Sequence, residues 1–134
     1  MGPSYEERVM AAVGHLGVLF GLMGVVATGV IHFLYARRSG FVGAHVRQAL
    51  AWQGTALAVK VAYGYVALGG LPGALVATGW SWDVLKWLFQ PDGPPGRTAV
   101  AALLWVFFAL ALQGLVRAWG GRRHRYPLVG RLVS

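Results

Sequence analysis

Three long apolar stretches with arginines at alternate ends constrain this chain more than any other feature. Arg37, Arg38 and Arg47 fill the first gap between stretches, and Arg117, Arg122, Arg123, Arg125 and Arg131 follow the third. The second gap holds Asp83, Lys86, Asp92 and Arg97, whose charges cancel. Basic loops stay on the cytoplasmic side of a membrane. The pattern predicts an all-α integral membrane protein with three transmembrane helices, at residues 9–35, 49–71 and 98–119. It places the protein in the cell (inner) membrane as a multi-pass chain, N-terminus outside and C-terminus cytoplasmic.

Composition agrees. Of 134 residues 57% are hydrophobic and 12% charged, where a soluble domain carries about 25% charge. The length suits one transmembrane domain, residues 1–134. The net charge of +8 is accounted for by the positive-inside pattern, so no nucleic-acid partner is expected. There are no cysteines, which removes disulfides, thiol nucleophiles and cysteine metal sites. The acidic N-terminus lacks the features of a signal peptide.

Ser4 and Glu7 have capping-box spacing, which starts a helix that runs into the first stretch. Along it Gly14, Gly17, Gly21, Gly24 and Thr28 recur at spacings of three and four. Such a stripe lets another helix backbone approach closely, either within this chain or in a dimer, and packing within the chain is the favoured reading. The second stretch ends at Gly69-Gly70-Leu71-Pro72-Gly73. A tryptophan-rich segment, residues 80–90, reads as a short interfacial helix with Trp80, Trp82 and Trp87 at the headgroup level. A rigid Pro-Gly turn over residues 91–96 leads into the third stretch. A fourth crossing through residues 70–89 would bury Asp83 and Lys86 in lipid, so three spans are expected. The basic tail, residues 120–134, with Arg122, Arg123 and Arg125, joins Arg37 and Arg38 as candidates to meet anionic lipid or a protein partner at the cytoplasmic face.

Lys60 is the oddest residue, since a lysine in mid-span costs about 2.5–3.5 kcal/mol on insertion scales. All four carboxylates, Glu6, Glu7, Asp83 and Asp92, lie outside the predicted spans. Lys60 can snorkel, bond to Gln53, Gln113 or His15, or meet a carboxylate of a partner. Gln53 and Lys60 share one face of the second helix, and Gln113 and His15 could complete an intramembrane polar cluster. His15, His32, His45 and His124 are scattered, with no pair at helical ligand spacing, so no metal site is expected. No nucleophile with a base, no paired carboxylates and no phosphate loop occur, so neither catalytic residues nor a cofactor are expected.

Three signatures then stand in order. Glu6-Glu7-Arg8 is followed by His15-Leu16; Phe41-Val42 by His45, Gln48-Ala49-Leu50 and Gln53; and a glycine and basic stretch by Tyr126-Pro127-Leu128. In these the chain resembles the small bacterial membrane domain grouped with the Tic-twenty channel subunit of the chloroplast inner envelope. That resemblance implies a compact helical membrane domain linked to protein translocation, and transfers no catalytic residues. Ala51-Trp52 stands where that family commonly shows Asn-Phe, and the tryptophan-rich segment is longer than its usual connection.

The functional expectation is a non-enzymatic accessory or assembly subunit of a larger membrane complex, in contact with the lipid bilayer and with a protein partner or a homo-oligomer. The alternative is a homo-oligomeric transport or translocation element whose polar stripe faces a central path.

Overall fold

A computed structural model describes residues 2–79 and 96–127. Every regular element among them is helical: α1 (Tyr5–Leu16), a 3₁₀ turn (Gly17–Phe20), α2 (Gly21–Tyr35), α3 (Gly40–Ala67), α4 (Gly70–Ala77) and α5 (Arg97–Trp119). Two stretches are long and apolar enough to cross a membrane by length and composition, Tyr5–Tyr35 and Arg97–Trp119. The three-span expectation is therefore met only in its helical character. The tryptophan-rich segment with Trp80, Trp82 and Trp87, the turn that follows it, and the tail beyond Pro127 lie outside the described residues.

The first stretch is not a straight span. The capping box forms as expected, with Ser4 accepting from the Glu7 amide and Glu7 from the Ser4 amide. Twelve residues later the chain turns through the 3₁₀ segment and Gly21, whose φ of 56° favours glycine. Beyond it α2 runs back along α1. The Thr28 hydroxyl donates to the Gly14 carbonyl at 3.2 Å, and the Tyr35 hydroxyl to Glu6 Oε1 at 3.1 Å. On a straight helix Glu6 and Tyr35 would stand about 43 Å apart. Gly14, Gly17 and Gly24 of the expected packing stripe lie inside this hairpin, and Gly21 lies at its turn. A Cβ on Gly24 would strike the Gly17 carbonyl, and one on Gly17 would meet Thr28 and Gln53.

α3 is the central column, and α1, α2, α4 and α5 all pack on it. It starts at Gly40, capped by Ser39 accepting from the Val42 amide, well ahead of the apolar run expected from residue 49. It is absent from the apolar spans because its inward face holds His45, Gln48, Gln53 and Lys60, all buried. At its far end Gly69 and Gly70, both with positive φ, reverse the chain. Past the expected end of the second stretch, residues 70–77 form α4, which packs back along α3 where Gly64 and Gly73 touch backbone to backbone.

α4 and α2 follow one another along α3 in the same direction. The Leu22 amide at the start of α2 donates to the Thr78 carbonyl at the end of α4, at 3.1 Å. Gly21 packs on Gly79 without room for a Cβ. The N-terminal dipole end of α2 thus meets the C-terminal end of α4, and each satisfies groups the other leaves open. Together they measure about 34 Å, which is bilayer scale.

The hairpin brings distant parts of the chain to one end. Glu6, Tyr35, Ser39 and the end of α5 share one end of the molecule: Tyr5 packs edge-on to Trp119 with ring centroids 5.8 Å apart, and Gly121 lies against Pro3 and Arg8. Residues near the N-terminus and the described C-terminal segment therefore lie together at one end of the molecule.

Candidate functional site

At this common end four residues distant in sequence converge. Ala11 and Ala12 of α1 pack against Ala118 of α5, and the small side chains let the two helices approach closely. Gly114 of α5 leaves the space that the His15 ring and the Tyr126 hydroxyl occupy. After α5, Gly121 with φ 69° turns the chain back, and residues 122–126 lie against α1 and α3.

The result is a hydrogen-bonded chain in the buried interior. His45 Nε2 lies 3.0 Å from the Arg122 carbonyl, His15 Nε2 lies 3.0 Å from His45 Nδ1, and His15 Nδ1 lies 2.6 Å from the Tyr126 hydroxyl. A carbonyl only accepts, so His45 Nε2 carries the proton. With neutral rings the rest follows: His45 Nδ1 accepts from His15 Nε2, and His15 Nδ1 accepts from Tyr126. The chain has one direction and ends on a backbone carbonyl, so it holds the C-terminal segment rather than delivering a proton to an open site.

Tyr126 is anchored further. Its amide donates to Gln48 Oε1 at 3.2 Å, and its ring stacks on Trp52 at 4.7 Å with 3° between planes. Trp52 Nε1 in turn donates to the Phe107 carbonyl at 2.9 Å. Burial pushes the Tyr126 phenol well above its usual range, which keeps it protonated as a donor.

His124 completes the group, edge-on to His15 and to Tyr126 with centroids 5.9 and 4.5 Å away. It is only 5% exposed, yet neither ring nitrogen has a hydrogen-bond partner among the described residues. Burial first, then Arg117 and His45, lowers its imidazole to about 4. Beside it opens a cavity of about 210 Å³ lined by Arg47, Gln48, Arg123 and Arg125. Among the described residues no group of three histidines or carboxylates is placed to hold a metal ion.

The intramembrane polar residues separate. His15 belongs to the cluster above. Gln53 Nε2 donates to the Gly14 carbonyl at 2.6 Å, and Lys60 Nζ to the Gly79 carbonyl at 2.6 Å. Lys60 therefore has a partner in its own chain, a carbonyl just past the negative end of α4. Gln113 is exposed on α5 and joins neither of them. Arg37, Arg38, Arg122, Arg123 and Arg125 are exposed at the common end. Sequence reasoning treated the histidines as scattered, because positions 15, 45 and 124 meet only through the helix hairpin and the turn at Gly121. A signal was nonetheless present: His15, His45, Gln48 and Tyr126, which carried the family resemblance, are the residues that meet here.

Large apolar side chains stay exposed along α2 (Met23, Val26, Val30, Phe33), α4 (Leu71, Leu75, Val76) and α5 (Val106, Leu112, Val116). Such a belt around a helical bundle with an interior polar latch defines a small helical membrane protein. Residues 6–133 match the model of the magnetosome magnetite crystal formation protein family (MamF/MmsF), and the chain belongs to that family. This corrects the resemblance to the Tic-twenty group: the short shared signatures around His15, His45 and Tyr126 pointed to another family than the one matched along nearly the whole chain. Neither the curated proteins nor the solved structures gave a match.

Proposed function

We propose that this protein is a non-enzymatic accessory subunit of the magnetosome membrane that acts in magnetite crystal formation by assembling with other membrane components. The family match over residues 6–133 supports the setting. The observation that carries the accessory role is the closure of the interior polar groups on the chain itself. His15, His45, Gln53 and Lys60 each engage another group of the same chain, which suits a scaffold better than a catalyst or a pore. The transport alternative loses its polar stripe, since Gln113 faces away from Gln53 and Lys60.

In the bilayer, α3 and α5 cross, the α1–α2 hairpin enters from one side and α4 from the other. The arginine-rich end lies in the cytoplasm by the positive-inside rule. Both the N-terminus and the C-terminal segment are then cytoplasmic, and anionic headgroups there add about 1 kcal/mol per basic residue.

The test is deletion of the gene in a magnetite-forming cell, with crystal size read by electron microscopy. Gentle extraction of the tagged protein and mass spectrometry of what accompanies it go alongside. Altered crystals restored by the wild-type gene, together with a stoichiometric partner, are expected. Unchanged crystals would remove the role in crystal formation, and a pure homo-oligomer would remove the accessory role.

A further inference from the structure

The cavity beside His124 has properties that the latch does not use. Its walls come from two elements, the first turns of α3 and the segment after α5. Arg47, Arg123 and Arg125 line it, and among the described residues no carboxylate does. Gln48 contributes an amide, and His124 a buried imidazole whose two nitrogens have no hydrogen-bond partner among the described residues. A buried polar group without a partner calls for an explanation. Three exposed arginines lining a cavity beside a buried imidazole offer what a tetrahedral oxyanion requires: several charge-assisted donors at a concave site.

We propose that this cavity is a phosphate-binding site, in which Arg47, Arg123 and Arg125 hold the oxygens of a phosphate group and the His124 ring donates to one of them. Its volume is several times that of a water molecule's share of the liquid, about 30 Å³, which admits one phosphate with part of its substituent. The site lies at the arginine-rich end, at headgroup level in the proposed orientation, so the phosphate can belong to a lipid headgroup or to a soluble molecule. The proposal rests on the geometry of this end and not on the role in crystal formation.

Two probes separate the sources. Native mass spectrometry of the full-length protein in detergent measures retention of phosphatidylglycerol against phosphatidylcholine. Calorimetry of the same sample measures binding of inorganic phosphate. One retained phosphatidylglycerol per chain with no heat from phosphate assigns the site to lipid, and the converse assigns it to soluble phosphate. In either case the double variant Arg47→Gln/Arg125→Gln should weaken binding by at least about tenfold, the loss of one charge-assisted hydrogen bond. Arg37→Gln/Arg38→Gln, which removes equal charge outside the cavity, should change it by less than about twofold. Nitrogen NMR of the wild-type protein labelled at histidine gives a readout independent of variants: the His124 ring signals should move with the binding probe and those of His32 should not. Equal losses in the two double variants, unmoved His124 signals, or no binding of either probe would overturn the proposal.

Discussion

The Tyr35 hydroxyl donates to the Glu6 carboxylate at 3.1 Å, across 29 residues of almost unbroken apolar sequence. That one contact places both ends of the first stretch on the same side of the molecule, and several expectations follow from it.

Sidedness is open to direct measurement, since the chain has no native cysteine to give background. Single cysteines at Gly2, Gly40 and Leu71 all fall on exposed positions. In inverted membrane vesicles the first two should label with an impermeant reagent and the third should not. Labelling of Gly2→Cys together with Leu71→Cys would refute the hairpin.

The hairpin depends on backbone contact at Gly24, where a Cβ would strike the Gly17 carbonyl. Gly24→Ala should destabilise the protein by about 1–3 kcal/mol, the usual overpacking range. Gly29→Ala in the same helix meets nothing within 4 Å. It should be neutral or stabilising by up to about 1 kcal/mol from helix propensity alone. Unfolding of both variants in detergent checks the difference, and equal effects would show that the contact does not matter.

Lys60 ties α4 to α3 through the Gly79 carbonyl. Lys60→Met removes that donor while easing burial of a charge, and the loosened carbonyl is expected to dominate. Backbone amides of α4 and of Leu22 should then exchange hydrogen about tenfold faster, read by mass spectrometry. Unchanged exchange there would mean that the glycine contacts alone hold the two helices together.

The latch should show in the pH dependence of stability. His124 is held near 4 when folded, against about 6.5 for a free imidazole. Between these values the unfolded chain binds a proton that the folded chain does not. Stability is therefore complete above about pH 6.5 and declines as the pH falls towards 4. Melting temperatures from about pH 7.5 to 4.5 should fall for the wild type and fall less for His124→Phe. Parallel curves would deny His124 this role. Separately, Tyr126→Phe should lower stability by about 1–2 kcal/mol at neutral pH, by leaving His15 Nδ1 without its donor.

Much of the local structure was legible in residue order. The Ser4–Glu7 capping box, the helical character of all three stretches and the end of the second helix near Gly69-Gly70 are read from side-chain type over a few positions, and each is present. The glycines from Gly14 to Gly24 announced close backbone packing, although their partners could not be named. The hairpin within the first stretch was not legible, because one left-handed glycine, Gly21, reverses a run whose hydropathy is continuous across it.

Amino-acid order alone sufficed for a helical, lipid-exposed chain with its basic groups near helix ends, because backbone hydrogen bonding in an apolar medium leaves helices as the local solution for such runs. Which ends lie together was decided only in three dimensions. So was the meeting of His15, His45, His124 and Tyr126 and the carbonyl partner of Lys60. Those contacts depend on the backbone conformation at Gly21, Gly70 and Gly121, and on helix surfaces that complement each other only once the chain has turned.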